Sequence, residues 1–142
     1  MPRGRVLRSL LLILALIGAG IQLVPVQRTN PPVDSALRAP PEVDAVLRRA
    51  CYDCHSHETR WPWYSRVAPV SWFLARHVKH GRAELNFSDW PAFDFERQSL
   101  DMDEMWSEVK EGDMPLRSYL WLHPDARLSD EDKAVLRRWA VD

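Results

Sequence analysis

Apolar and polar positions divide the chain into three stretches. Arg3, Arg5 and Arg8 precede an apolar run from Leu10 to Ile21, followed by Gln22, Leu23, Val24, Pro25 and Val26. From Leu10 to Val26 only Gln22 is polar, and this length is at the lower edge of what spans a bilayer. A basic start and an apolar run predict an export signal or a signal anchor over residues 1–26. No Ala-x-Ala site follows, and Gly18 and Gly20 offer only a poor substitute, so an uncleaved anchor is the favoured reading. The basic flank then places the rest of the chain outside the cytoplasm, either membrane-tethered or, after cleavage, soluble in the periplasm. Residues 27–41 carry Pro31, Pro32, Pro40 and Pro41 and few large apolar groups. They predict a stiff, extended linker, with one short turn at Asp34–Leu37.

Residues 42–142 read as one helical domain. Val43, Val46, Leu47 and Ala50 recur at i, i+3, i+4 and i+7 behind Pro41, which suits a first helical turn. That helix leads into Cys51. Arg60-Trp61-Pro62-Trp63-Tyr64 interrupts the periodicity and predicts a loop. A second helix is expected from about Val70 to His80, with Gly81 as its stop signal. Asn86 to Pro91 reads as a turn. A third helix, from about Phe95 to Glu111, sets Met102, Met105, Trp106 and Val109 on one stripe, and Gly112 is suited to end it. The last helix opens at Ser129, with Asp132 three residues on as a variant capping box. No alternating run is long enough for a sheet. The fold class expected is all-α.

Composition changes this picture in two places. The 142 residues sum to a formal charge of −1, but residues 1–27 hold three arginines and no acid. The remainder therefore carries 16 basic against 20 acidic groups, and no basic stripe suggests nucleic acid as a partner. Asp94 to Asp113 concentrates eight acidic residues against Arg97 and Lys110, a surface able to steer a basic redox partner or simply a solvated face. Seven tryptophans suit a domain wrapped around a large apolar group, or an aromatic-rich core.

The two cysteines carry the chemistry. Cys51-Tyr52-Asp53-Cys54-His55 has the Cys-x-x-Cys-His spacing in which a helical turn offers two thiols to the vinyl groups of a haem and one imidazole to its iron. A covalent haem c is therefore the expected cofactor, with His55 as an iron ligand. Two other readings use the same cysteines. A thioredoxin-like redox pair would need a strand before the motif, where a helix is expected. A structural zinc module would join Cys51 and Cys54 to His77 and His80, at spacings unlike the usual finger, and would leave His55 unexplained. Met114, in Gly112-Asp113-Met114-Pro115-Leu116, is the candidate for the opposite iron ligand, because Pro115 stiffens its loop and a thioether suits haem iron. The alternative is a methionine filling a core gap. His57, His77, His80 and His123 compete with it as ligands. Trp63, with Trp61 and Tyr64, is a candidate to line the haem edge, with Arg60 and Arg66 pairing with its propionates; the alternative is aromatic core packing with solvated arginines.

Several further stretches share one pattern. Cys51–Ser56, Glu58–Ser65 and Ala68–Trp72 resemble the bacterial haem-binding domain family related to cytochrome c. So do Gly81-Arg82, Leu85–Ser88, Gly112–Leu116, Tyr119, His123–Ser129 and the closing Trp139-Ala140. The resemblance runs from about Val43 to the end. It implies a cytochrome c-like helical fold, thioether bonds at Cys51 and Cys54, His55 as proximal ligand and Met114 at the place of the distal methionine. His57 departs from the amide expected there. The resemblance adds a cofactor and a fold, and the leading reading of function is a membrane-tethered or periplasmic electron carrier with His/Met ligation rather than an enzyme. A haem sensor with a labile Met114 is the second reading. A peroxidase-type enzyme is the third, with His57 and His123 its only acid–base candidates.

Overall fold

A computed structural model of the chain describes residues 2–91 and 93–141, the side chains of Pro2 and Arg3 excepted. Among the described residues the protein is all-helical, with seven α-helices and no strand. The chain divides into two compact units, residues 1–28 with 61–77, and residues 29–60 with 78–142.

The first unit contains α1 (Pro2–Ile21), a short 3-10 turn at Trp63–Arg66 and the first half of α4 (Val70–Glu84). Gly4–Ile21 is long and apolar enough to cross a membrane, and none of it is buried against the protein. The helix begins within the basic flank rather than at Leu10, and it stops five residues before Val26. Backbone turns at Gln22, Leu23 and Val24 close it, and Pro25 disfavours helical geometry in the residue before it. The Gln22 side chain bonds the backbone of Ala68, and Arg28 bonds the Ser65 carbonyl at 2.9 Å.

The second unit is built on three amphipathic helices. α2 (Pro41–Ala50) buries Val43, Val46, Leu47 and Ala50, the four positions set by its helical period. α5 (Phe95–Glu111) buries Met105 and Val109, with Met102 and Trp106 packed alongside. Asp94 accepts from the Arg97 amide to cap its start, and Gly112, at φ 82°, closes its end in the left-handed region that glycine adopts without strain. α7 (Asp130–Ala140) starts in a complete capping box between Ser129 and Asp132 and packs on both α2 and α5. The unit also holds the end of α4, two short helices, α3 (Tyr52–His55) and α6 (Arg117–Leu120), and a 3-10 turn at Pro124–Ala126. Leu47, Phe87, Leu136, Val43 and Val109 are fully buried at the centre. Each such side chain contributes roughly 1.5–3 kcal/mol.

Ser35 pairs with Asp89 in an isolated parallel bridge after a bend at Asp34, and residues 34–37 are tied to 87–90. The Ser88 carbonyl accepts from the Asp34 and Ser35 amides, Leu37 donates to Phe87 at 2.8 Å, and Trp90 donates to Ser35 at 2.8 Å. Leu37 is buried in the same core. α4 differs from its sequence expectation. It continues through Gly81 to Glu84, so that glycine does not stop the helix. A Cβ at position 81 would stand 2.7 Å from the Cys54 carbonyl oxygen, so the residue permits close approach of two backbones.

Candidate functional site

α2 ends because Cys51 leaves helical geometry, and its amide closes the helix on the Leu47 carbonyl at 2.8 Å. The Cys51 carbonyl then accepts from the amides of both Cys54 and His55, at 3.1 and 3.0 Å, which winds the motif into the single turn of α3. Tyr52 points into the core, stacks on Phe87 at 5.2 Å and carries the Arg48 guanidinium over its outer face at 4.5 Å. The two thiols and the imidazole are thus the half-buried residues of a turn whose intervening aromatic is its anchor.

Both cysteines are free thiols. Burial pushes Cys51 up to about 12, with the neighbouring Cys54 thiol adding to it, and burial pushes Cys54 up to about 11, with Asp53 adding. A reactive Cys-x-x-Cys pair of the thioredoxin kind needs the opposite, a thiol stabilised as thiolate by a helix N-terminus or a cation. This desolvated pair is poorly suited to that role. No group of three or more His, Cys, Asp or Glu able to hold a metal ion occurs among the described residues, so the ligand set required by a zinc module is not assembled.

The imidazole of His55 is oriented. Its Nδ1 lies 3.1 Å from the Leu85 carbonyl oxygen at the end of α4, and the ring makes a tilted contact with Phe87. Burial lowers its pKa below the usual 6.5, outweighing the carbonyls of Leu85 and Gly81, so the ring is neutral at physiological pH. A neutral ring that donates through Nδ1 keeps its lone pair on Nε2, and a backbone carbonyl fixing that tautomer is how metal-ligating histidines are held.

Three side chains missed as site residues by sequence reasoning hold this turn in place. Arg82 reaches the carbonyls of Ser56 at 2.7 Å and Thr29 at 2.9 Å, the Asn30 side chain at 3.1 Å and the Thr59 hydroxyl at 2.9 Å. Asp53, inside the motif, accepts from the Arg60 amide and guanidinium and from the Tyr119 hydroxyl at 2.8 Å. Arg60 is therefore engaged within the protein. Burial first, then Asp53, raises the Tyr119 pKa far above the usual phenol value, so it remains a donor. Nothing in hydrophobic periodicity marks these residues; Arg82 follows Gly81 and Tyr119 lies in a short helix, and both stood out only within the family pattern.

The competing histidines are occupied or remote from such a role. His57 lies between the Pro32 carbonyl at 2.7 Å and the Asn86 amide nitrogen at 3.0 Å, using both ring nitrogens. His77 bonds the Phe73 carbonyl of its own helix, His80 is exposed, and His123 stacks on Tyr119 at 4.0 Å. Met114 follows the α5 cap, with its amide on the Glu108 carbonyl at 3.2 Å, and its half-buried side chain packs on the core that Cys51 also borders. Trp63 is in the first unit, 77% exposed, with its ring edge against Tyr64.

A family model described as a haem-binding domain matches residues 16–142. The chain belongs to the haem-binding domain family. No curated protein and no solved structure matches it. Cys51 and the residues of α3 fit the group that the family binds. They offer two free thiols three positions apart, followed directly by an imidazole whose tautomer leaves a nitrogen lone pair for iron.

Proposed function

We propose that this haem-binding domain carries a covalent haem c and serves as a membrane-tethered electron carrier on the extracytoplasmic side. The observation that carries the reading is the His55 ring, neutral and held through Nδ1 by the Leu85 carbonyl, directly after two protonated thiols. Cys51 and Cys54 would hold the group through sulfur, His55 through Nε2, and Met114 through its thioether. When bound, the group supplies one-electron iron chemistry at a potential that methionine ligation raises.

The protein's part is to hold these donors still. The Leu85 carbonyl orients the imidazole, Asp53 and Arg82 fix the backbone on either side of it, and Tyr52 and Phe87 anchor the turn in the core. Rigid ligands suit electron transfer, because little rearranges when the charge changes. α1, by its length, apolarity and basic flank, supports the tether.

The test begins with protein matured alongside haem attachment machinery. The wild type is expected to keep haem on a denaturing gel, and Cys51→Ala/Cys54→Ala to lose it. Met114→Ala is expected to lower the reduction potential and abolish the thioether-to-iron absorption of the oxidised protein. Rapid carbon monoxide binding by the reduced wild type would instead favour a sensor with a labile Met114.

A further inference from the structure

The first unit has a chemistry of its own. Beyond the basic flank at Arg3, Arg5 and Arg8, its residues 9–28 and 61–77 hold Arg28, Arg66 and Arg76 and not one aspartate or glutamate, while all 20 acidic residues, against 13 basic, lie in the second unit. Segregation so complete in a chain of net charge −1 needs a cause. The same unit exposes large apolar side chains outside α1. Trp63 is 77% exposed, Phe73 53%, and Val67 and Val70 are also open. Val70, Phe73 and His77 share one face of α4 by helical spacing, and Arg66 and Arg76 flank them.

Gln22 tells at what depth this segment lies. It is the polar interruption directly after the last residue of α1. Its amide nitrogen donates to the Gly18 carbonyl at 3.1 Å and the Ala68 carbonyl at 3.1 Å, and its amide oxygen accepts from the Ala68 N–H at 2.9 Å. Each donor and acceptor set of this amide is thereby used by protein. Such complete satisfaction is what a polar group requires where water is scarce. Ala68 is therefore held level with the end of α1, and the Arg28 bond to Ser65 adds a second tie. Val67 and Val70 lie beside Ala68 in sequence, and Trp63 and Phe73 within about a turn of them.

We propose that residues 63–73 form an interfacial membrane-docking segment, seated in the headgroup region of the membrane that α1 spans. Trp63, Val67, Val70 and Phe73 enter the boundary between headgroups and acyl chains, and Arg66 and Arg76 meet lipid phosphates. Tryptophan favours that boundary, because its ring is apolar and its N–H finds polar partners there. Arginines without acidic neighbours are attracted to anionic lipid. Trp63 thus serves the lipid surface rather than the haem edge. The inference rests on the reading of α1 as an uncleaved anchor.

The test uses the full haem-loaded chain in vesicles of phosphatidylcholine and phosphatidylglycerol in equal parts, with a photoactivatable phospholipid whose carbene precursor lies high on the acyl chain. Labelled positions are mapped by mass spectrometry. The expected result is label on α1 and on residues 63–73, and a several-fold loss of the second in Trp63→Ser/Phe73→Ser with α1 labelling unchanged. Label confined to α1 would overturn the docking segment while leaving the anchor intact. No label on α1, with release of the protein by alkaline carbonate, would remove the anchor and the segment together. Label on 63–73 that disappears as the protein-to-lipid ratio rises, with α1 labelling unchanged, would assign the face to a second copy and overturn the proposal.

Discussion

Replacing Gly81 by alanine tests the packing on which the site depends. In an ordinary helix interior the change stabilises by about 1 kcal/mol, because alanine loses less backbone freedom than glycine. Here the new methyl carbon stands 2.7 Å from the Cys54 carbonyl oxygen, 3.2 Å from its carbon and 3.3 Å from the Cys54 Cβ. The first contact is roughly 0.6 Å inside the closest ordinary carbon–oxygen approach of about 3.3 Å. A backbone oxygen cannot rotate aside, so either α4 or the motif turn must move. Overpacking of this kind costs about 1–3 kcal/mol. Its upper end prevails, since the obstacle is rigid, and the net expectation is a loss of about 1–2 kcal/mol after the helical gain is subtracted. Urea unfolding reads this as a fall in midpoint of about 0.5–1 M, for a slope of about 2 kcal/mol/M. His55 adjoins Cys54, so the haem absorption spectrum should shift as well. A companion change, Ala83→Gly, should cost less than about 1 kcal/mol, because Ala83 lies in the last turn of α4. A more stable Gly81→Ala protein with an unaltered spectrum would refute the close approach.

The remaining predictions concern what holds the turn and the helices. Arg82→Lys should destabilise by about 1–3 kcal/mol, since an ammonium cannot reproduce a planar fork across four acceptors, and limited proteolysis should then cut near residues 56–60. The haem-free Cys51→Ala/Cys54→Ala chain should lose stability as pH falls below 6.5, where the unfolded His55 takes a proton that the buried folded ring resists. The slope is bounded by about 1.4 kcal/mol per pH unit, and flat stability from pH 7 to 5 would contradict a buried neutral imidazole. Ser129→Ala should cost about 1 kcal/mol through the lost cap. Burial alone would raise the Asp132 carboxyl, but Ser129 and Arg49 more than offset it and hold it below its usual value. The cap therefore contributes above the unfolded carboxylate range and fades in acid, and NMR titration of Asp132 in the variant should show its pKa rise.

The sequence was most informative where one residue type serves one physical need. The helical stripe of four apolar residues on α2, the Ser129–Asp132 box and Gly112 all announced themselves, because caps and stripes are local. Gly81 misled for the same reason. A glycine after an apolar stretch signals a stop, and only its distance from Cys54 reveals that it serves a neighbour instead. Cys51, Cys54 and His55 stood out by their spacing and Arg60 as a candidate propionate partner, whereas the bonds that Asp53, Tyr119 and Arg82 make around the motif were not legible. Their partners lie up to 66 residues away, as with the Tyr119 hydroxyl on Asp53. Gln22 read as a flaw in an apolar run, and its use became visible only with the Ala68 backbone beside it.

Arg82 has one more consequence. Its four bonds go to neutral oxygens, and no ion pair neutralises it among the described residues. Its charge acts against the burial that raises the Cys54 thiol. The guanidinium is therefore a fixed positive pole beside the motif, present at every working pH. Such a pole favours the arrival of negative charge next to it and disfavours its departure. A bracket that serves the backbone thus also sets the local potential, and replacing it with a neutral glutamine would change both at once.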